Sequence, residues 1–213
     1  MRVLLDLIFP RRCLSCEVPA AFLCSDCDAR LPPIPNPCAR CSEPGGRGRC
    51  CEGLAFDAAR APYRYAGPAR DALMSFKLGG ERRAARAMAA RMAPVAPPAD
   101  AITFVPSSPK ALAQRGFDPA EQLARALAPL LGLPCRRLLR KARETSDQAA
   151  LGRSARLANL RDVFVAARGP IPQGTILLVD DVMTTGATAH GCARALKVAG
   201  TSKLEVLTFA RAG

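Results

Sequence analysis

The spacing of the cysteines constrains this chain more than any other feature. Eight of its ten cysteines fall within residues 13–51, as three Cys-x-x-Cys pairs followed by the adjacent Cys50 and Cys51. Two residues between cysteines let one tight turn present both sulfurs to a tetrahedral ion, and two such turns complete a four-cysteine zinc site. The spacing therefore predicts a zinc-binding module over residues 1–55, followed by a second domain over residues 56–213.

Two sets of zinc ligands follow from this spacing. The first two pairs, seven residues apart, form one set, Cys13, Cys16, Cys24 and Cys27. The second set begins with Cys38 and Cys41, but adjacent Cys50 and Cys51 stand where a regular zinc ribbon has another Cys-x-x-Cys pair. Cys50 and Cys51 are both candidate ligands, but only one of them could ligate, or the second site could be degenerate. Because so short a segment buries little core, zinc would supply most of its folding free energy, on the order of 10 kcal/mol.

Redox chemistry and disulfides are the alternative uses of such pairs. Redox-active Cys-x-x-Cys motifs follow a strand in a βαβ unit, whereas these pairs lie among Pro and Gly. The opening "MRVLLDLIFPRRC" has an apolar run broken by Asp6 and no small-residue cleavage site, so we do not expect export. No apolar run approaches the length of a membrane span. We expect structural zinc in a cytoplasmic protein without membrane insertion, and core positions for Cys135 and Cys192.

Strand-like and helix-like segments alternate from about residue 56 onward. Such alternation predicts an α/β fold with a largely parallel sheet that is covered on both faces. Asp118 is a natural N-cap, with Pro119 at the first helical position and Glu121 placed to close a capping box. The predicted strands are 61–65, 101–105, 162–166, 175–179 and 203–210, and the predicted helices are 68–77, 81–93, 119–131 and 187–199.

The segment "TILLVDDVMTTGATAHG", residues 175–191, places two aspartates after an aliphatic strand. In an open parallel sheet, ligands bind at the carboxyl ends of the strands. The loop Thr184–Thr188 then leads into a helix N-terminus, whose free N–H groups and positive dipole suit a phosphate. Carboxylates beside an anion cradle fit a ligand with hydroxyls and a phosphate, such as a sugar phosphate. The candidate binding residues are Asp180, Asp181, Thr184, Thr185, Gly186, Ala187 and Thr188.

Other readings of the acidic pair are weaker. A Walker B element would need a G-x-x-x-x-G-K-[ST] loop, and the chain has none. In response-regulator receivers such a pair ends the first strand, whereas here the pair lies near the C-terminus. An ordinary strand–turn–helix would leave two like charges together without a purpose.

The segment "ILLVDDVMTTGAT" resembles the thirteen-residue phosphoribosyl-pyrophosphate (PRPP) motif of type I phosphoribosyltransferases. Together with the cysteine pairs, the chain resembles the ComF family of ComFC- and GntX-like proteins over nearly its whole length. Further segments resemble that family in order: "LLDLIFPRRCLSC", "SFKLGGER", "VPSSPKALAQRGFD" and "ETSDQAALGRSARLANLRDVF". The resemblance implies a type I phosphoribosyltransferase-like, Rossmann-type parallel sheet with an N-terminal double zinc ribbon.

The resemblance also implies roles for particular residues. Asp180 and Asp181 would hold the ribose hydroxyls and help to fix Mg2+ indirectly, while the loop Thr184–Thr188 would wrap the 5′-phosphate. The pyrophosphate loop would contain Ser107, Ser108, Lys110 and Arg115. A lid over residues 141–160 would contain Thr145, Gln148, Arg156 and Asn159. The chain departs from the family pattern at Asp118-Pro119, where an acid lies beside the expected pyrophosphate site.

Two functions therefore stay open. One is a phosphoribosyltransferase, a pentosyl glycosyltransferase, that binds PRPP with Mg2+ and acts on an unknown acceptor. The other is a non-catalytic accessory for DNA uptake in natural transformation (competence), which would bind single-stranded DNA and other DNA-uptake proteins. The net charge of +13, nearly all of it beyond residue 60, and the basic run 136–143 suit pyrophosphate, a DNA strand or plain solvation. The only histidine, His190, is expected to be a spectator.

Overall fold

Parallel strands form the centre of the described chain. The computed structural model describes residues 12–20, 22–46, 50–79, 82–142 and 163–213. A short 3-10 turn spans Ala93–Val95. The strands are β1 Ala58–Arg60, β2 Tyr63–Arg64, β3 Ala101–Phe104, β4 Leu139–Lys141, β5 Phe164–Ala166, β6 Thr175–Met183 and β7 Lys203–Arg211. The helices are α1 Ser25–Ala29, α2 Gly67–Gly79, α3 Arg82–Met92, α4 Pro109–Arg115, α5 Pro119–Leu131 and α6 Ala187–Val198.

The main sheet has the strand order β1-β7-β6-β3, and β2 also pairs with β7. Every pairing in it is parallel. Residues 176–179 of β6 and 204–210 of β7 are buried, as expected for strands that are covered on both faces. The predicted fold class, α/β with a parallel sheet and a Cys-rich N-terminal module, is confirmed.

Two apolar cores lie on opposite faces of this sheet. The first face carries α2, α3 and α5, whose side chains pack on Leu177, Val179 and Leu207. The second face carries α6 and the β4–β5 pair, which pack on Ile176, Leu178 and Val206. The alternation of β6 residues between the two cores follows from the period of two in a strand.

The cysteine-rich module contributes to both cores. Phe22 and Leu31 belong to the core of the first face, whereas Cys51 and Leu54 belong to the core of the second. Hydrogen bonds add to this attachment, since Ser75 Oγ on α2 donates to the Leu14 carbonyl at 2.9 Å. The division of the chain at residues 55/56 stays a prediction.

The α5 helix begins and ends as the sequence predicts. Asp118 accepts hydrogen bonds from the N–H groups of Ala120 at 3.1 Å and Glu121 at 3.3 Å. Gly132 ends the helix in the left-handed conformation, with φ of 66°. The bonds that Asp118 accepts form one half of the predicted capping box. The Glu121 carboxylate does not complete the other half, because it binds two arginines, Arg125 and Arg137.

Three strand predictions need correction. The strand β1, Ala58–Arg60, was not predicted, and the strand predicted over residues 61–65 is limited to Tyr63–Arg64. The strand predicted to end at residue 179 continues to Met183, because β7 runs alongside it and Met183 pairs with Arg211. The segment Leu139–Lys141 forms a strand that was not predicted, and it pairs antiparallel with β5 outside the main sheet. Three residues, two of them basic, carry too short a pattern to indicate a strand. Within the described parts of the chain, every helix is too short or too polar to cross a membrane.

Candidate functional site

The Asp180 side chain faces the loop that follows β6. It lines a small cavity of about 30 Å3 together with Thr184, Gly186, Ala187 and Thr188, and with Thr208 of β7. A space of this size holds about one water molecule. The structure therefore brings together one of the two predicted carboxylates and most of the predicted phosphate loop, by which we mean residues Thr184–Thr188.

The position of Asp180 is set by the unequal lengths of neighbouring strands. The last residue of β3, Phe104, pairs with Val179 of β6, so that Asp180 lies just beyond the end of β3. On the other side β7 continues, and Asp180 pairs with Thr208. The aspartates thus lie within β6, not after it as predicted, but still at the carboxyl edge of the sheet next to β3. This is the edge at which open parallel sheets bind ligands.

Asp181 is buried and has a cationic partner. Its Oδ2 lies 2.9 Å from Nζ of Lys77, in the last turn of α2. Sequence reasoning did not assign a role to Lys77, because the two residues are far apart along the chain. The one signal that could have found Lys77 is its place in the segment "SFKLGGER".

Electrostatics distinguish Asp180 from an ordinary surface acid. Burial raises the pKa of Asp180 well above its usual value, and the neighbouring Asp181 carboxylate adds to this effect. A hydrogen bond of 2.8 Å from the Asp181 N–H to Asp180 Oδ1, together with the charge of Lys77, opposes it. A cation or a hydroxyl-rich ligand beside Asp180 would favour the charged carboxylate.

The predicted phosphate loop leads through a left-handed glycine into the N-terminus of α6. Gly186 caps α6 in the left-handed conformation, with φ of 76°, and a Cβ there would lie 3.4 Å from the Phe56 ring. Glycine is thus favoured both by the backbone angle and by the close packing. Thr185 Oγ1 accepts from the N–H of Ala187 at 3.3 Å, and Thr184 is exposed. The α6 helix begins at Ala187, as predicted, so its first N–H groups lie beside Asp180.

The four pyrophosphate-loop candidates lie after β3. The N–H of Ser107 donates to Asp118 Oδ2 at 2.8 Å, and Ser108 caps α4 by accepting from Ala111 at 3.1 Å. Lys110 and Arg115 are exposed on α4. Both serines thus have structural bonds, whereas the two cations are open to solvent.

The acid that departs from the family pattern has an internal role. Asp118 is 5% exposed and accepts from Ser107, Ala120 and Glu121, so it joins the segment after β3 to the start of α5. Burial raises its pKa, although the hydrogen bonds that it accepts oppose this shift. Asp118 thereby fixes the segment that would carry pyrophosphate.

The predicted lid lies outside the described residues, and with it Thr145, Gln148, Arg156 and Asn159. Most of the basic run is described. Arg137 is engaged by Glu121, and its guanidinium lies over the Phe104 ring at 4.9 Å. Arg136 and Arg140 are exposed on either side of it. Among the described residues of this run, Arg137 therefore has a structural role, and Arg136 and Arg140 are open to a ligand.

His190 also has a structural partner. Its Nδ1 accepts a hydrogen bond from the N–H of Ala55 at 3.0 Å, which joins α6 to the segment after Cys51. This bond gives His190 a structural role between α6 and the segment that follows the cysteine module.

Both sets of cysteines have the geometry of a zinc site. Within each set, all four sulfurs lie within 4.8 Å of one another. A tetrahedral ion with Zn–S bonds of about 2.3 Å places its sulfurs about 3.8 Å apart. The Cys16–Cys24, Cys41–Cys50 and Cys38–Cys51 sulfurs are separated by 3.6, 3.4 and 4.0 Å. We call Cys13, Cys16, Cys24 and Cys27 the first set, and Cys38, Cys41, Cys50 and Cys51 the second set.

The sulfurs of both Cys50 and Cys51 lie within the second set, so that ligation by both stays the prediction. The packing there is tight, because a Cβ on Gly46 would lie 2.9 Å from Cys50 Sγ. Burial would raise the pKa of Cys38, but hydrogen bonds led by those from the N–H groups of Cys41 and Arg40 lower it to about 6. Donation from the backbone to sulfur favours the thiolate, which is the form that binds zinc.

Comparisons with known proteins agree with this geometry. Residues 4–55 match the family described as Double zinc ribbon domain. The chain is 29% identical to Competence protein ComFC of Streptococcus pneumoniae over 198 residues, which are 89% of this chain and 87% of that protein. It is 26% identical to DNA utilization protein YhgH of Salmonella typhi over 225 residues, which are 96% of this chain and 99% of that protein.

Two shorter similarities accompany these. Competence protein F of Haemophilus influenzae is 30% identical over 102 residues, which are 46% of this chain and 44% of that protein. A solved glutamine PRPP amidotransferase from B. subtilis aligns with 57% of this chain and 25% of its own, at 23% identity and a TM-score of 0.41. The relatives that span nearly the whole chain are named competence and DNA utilization proteins. The chain is similar to them over both its N-terminal cysteine module, which matches the Double zinc ribbon domain, and its parallel α/β sheet.

Proposed function

We propose that this protein binds PRPP together with Mg2+ at the carboxyl edge of β6. The observation that carries the proposal is that Asp180 shares one cavity with the phosphate loop. Carboxylates can hold the two ribose hydroxyls, and the N-terminus of α6 can hold the 5′-phosphate. Because a sugar phosphate is much larger than the cavity of about 30 Å3, the ligand would lie across its mouth, against the exposed Thr184.

The remaining charges of the site suit the pyrophosphate half of the ligand. Lys77 lies beside Asp181, and Lys110 and Arg115 are exposed on α4, just after β3. Mg2+, when bound, would offset the charge of the pyrophosphate oxygens, with Asp180 and Asp181 as the residues that fix it. Basic side chains near the leaving pyrophosphate would also offset its negative charge.

We further propose transfer of the phosphoribosyl group to an acceptor amine. The bond from C1′ to pyrophosphate would break toward an oxocarbenium-like state, and the amine would attack the opposite face of the sugar and lose its proton. This reaction needs no protein nucleophile. Pyrophosphate release measured over a panel of amine acceptors tests it: release with one acceptor would name the reaction, and release with none would count against turnover.

The experiment for binding itself is calorimetry with PRPP, with and without Mg2+. We expect binding that depends on Mg2+ and is lost when Asp180 and Asp181 are both replaced by Asn. Binding that survives this double substitution would remove the site assignment.

A role in DNA uptake is the second candidate, and a separate observation favours it. Two relatives are named competence proteins and a third is named a DNA utilization protein. The exposed Arg136 and Arg140 beside β4 offer charge for a phosphate backbone. In this role the protein would bind single-stranded DNA and need no turnover.

Single-strand binding measured by fluorescence anisotropy over a salt series tests this role. Replacing Arg136 and Arg140 by Gln should flatten the slope of log K against log salt by about 1.4, since each single-strand phosphate contact contributes about 0.7. Arg64→Gln with Arg70→Gln is the matched control, because both arginines are exposed and lie elsewhere. No binding at low salt would eliminate the DNA-binding role.

A further inference from the structure

The buried Arg211 joins the second cysteine set to the phosphate loop. It is the last residue of β7 and is 3% exposed. Its Nε donates to the Cys41 carbonyl at 3.3 Å, and its guanidinium forms an ion pair with Glu43. Nη1 donates to the carbonyls of Met183, at 3.0 Å, and Thr184. One side chain thus holds the backbone of a cysteine turn and the first residue of the loop.

A second group of contacts also connects the second cysteine set to the phosphate loop. Arg40, which lies between Cys38 and Cys41 in the sequence, donates to the carbonyls of Leu54 and Phe56 at 3.0 Å each. Phe56 is fully buried and lies under Gly186 of the phosphate loop. The loop therefore rests on a segment that the second cysteine set holds in place.

The first cysteine set is attached elsewhere. Its connecting arginine is Arg91 of α3, which donates to Asp28 Oδ1 at 3.0 and 2.5 Å and lies over the Phe22 ring at 4.9 Å. Those contacts lie with the core of the first face, among α2, α3 and α5. The first cysteine set is thus attached through Arg91 and the second through Arg211. Of these two arginines, Arg211 is the one that contacts the phosphate loop.

Charge explains why Arg211 should respond to metal. Four thiolates and one Zn2+ carry a net charge of −2, one unit of which the neighbouring buried guanidinium can offset. Loss of metal would leave the turn that contains Cys41 and Glu43 held by its backbone hydrogen bonds alone, which would loosen two acceptors of Arg211.

We propose that Arg211 is a positioning residue that couples metal occupancy of the second cysteine set to the geometry of the phosphate loop. The consequence for ligand binding rests on the proposed PRPP site, whereas the effect on the loop does not. The first set lacks this coupling. Loss of zinc from the second set would thus weaken phosphate binding at a distance.

Hydrogen exchange of the backbone amides in residues 183–189, measured on the zinc-loaded protein without ligand, tests the coupling. Arg211→Met and Glu43→Gln should raise exchange there about tenfold, a size typical of coupling between sites. Glu43→Gln keeps the buried arginine and guards against a variant that fails to fold. Cys51→Ser, which removes a second-set ligand, should have the same effect. Arg91→Met is the matched control and should leave these amides unchanged.

Calorimetry with PRPP and Mg2+ then gives the second readout. We expect Arg211→Met to raise the Kd about tenfold and Arg91→Met to leave it unchanged. Unchanged exchange of residues 183–189 in Arg211→Met and Glu43→Gln would overturn the coupling. Failure of the unmodified protein to bind PRPP would instead overturn the proposed function, and the exchange result would still decide the coupling.

Discussion

Nζ of Lys77 lies 2.9 Å from Oδ2 of Asp181, and this ion pair joins the last turn of α2 to the acidic strand β6. The Asp181 side chain is 10% exposed and that of Lys77 is 25% exposed. A buried carboxylate without a cation is costly, so Lys77 makes the charged form of Asp181 tolerable. The same lysine is close enough to interact with Asp180. One cation therefore acts on both acids of the proposed site.

Lys77→Met should lower both stability and ligand affinity. We expect a loss of about 1–3 kcal/mol in the free energy of unfolding, because a buried carboxylate is left without its partner. We also expect a PRPP Kd that is about tenfold higher, since the site loses a positive charge. Denaturant unfolding and calorimetry measure the two effects.

Lys203→Met is the matched control for Lys77→Met. Lys203 lies 2.7 Å from a similarly buried acid, Glu205, at the opposite end of the sheet. The Lys203→Met variant should be less stable than the unmodified protein but should have the same PRPP Kd. Equal effects of the two variants on PRPP binding would contradict the role of Lys77.

Zinc analysis should find two ions per chain. Cys50→Ser and Cys51→Ser should each reduce this to one, because both sulfurs belong to the second set. Cys135→Ser should keep two, because Cys135 packs against the core away from either set. Plasma emission spectrometry of the purified proteins gives the counts. If either second-set variant keeps two ions, that cysteine is not a ligand.

Gly46→Ala should impair the second zinc site without touching a ligand. An added Cβ would lie 2.9 Å from both Cys50 Sγ and Cys38 Cβ, closer than real Cβ atoms approach. We expect the second zinc to be lost to a weak chelator at least tenfold faster than in the unmodified protein, while the first zinc is unaffected. Gly79→Ala, whose Cβ would meet nothing within 4 Å, is the control. Equal release rates in the two variants would show that the space around Gly46 adjusts.

Asp118→Asn should loosen the segment after β3. The carboxylate accepts from three N–H groups, and an amide has only one oxygen to offer them. We expect a loss of about 1–3 kcal/mol in the free energy of unfolding. Chemical denaturation of the two proteins measures it.

The pH dependence of this loss follows from the raised pKa of Asp118. A folded pKa above the unfolded value of about 3.9 means that the folded state holds the proton more tightly than the unfolded state. The contribution of Asp118 to the free energy of unfolding is therefore fully present below about pH 4. It is lost as pH rises through the folded pKa. The stability difference between the unmodified protein and Asp118→Asn should therefore shrink as pH rises from 4 to 7. A difference that grows with pH would mean that the pKa is lowered instead.

Local features of this fold could be read from the sequence. The N-cap at Asp118, the start of α6 at Ala187 and the cysteine sets each depend on residues within one short segment. The acidic strand was placed correctly but its end was not, because the length of β6 depends on its pairing with β7.

The contacts that complete the site could not be read in this way. Lys77 reaches Asp181, and Arg211 reaches Glu43 and Thr184, only because the sheet brings distant segments together. No local pattern distinguishes these cations from the many others in a chain of net charge +13. The role of Asp118 toward Ser107 was missed for the same reason, although its capping role was predicted.

Calorimetric titration with PRPP and Mg2+ tests the central claim most directly. Asp180→Asn with Asp181→Asn should abolish the Mg2+-dependent heat. Asp26→Asn with Glu52→Gln, which removes the same charge from exposed positions, should preserve it. Loss of binding in the first variant alone is the predicted result. Equal binding by the first variant and the unmodified protein would show that the acidic pair of β6 does not hold the ribose, and would contradict the account.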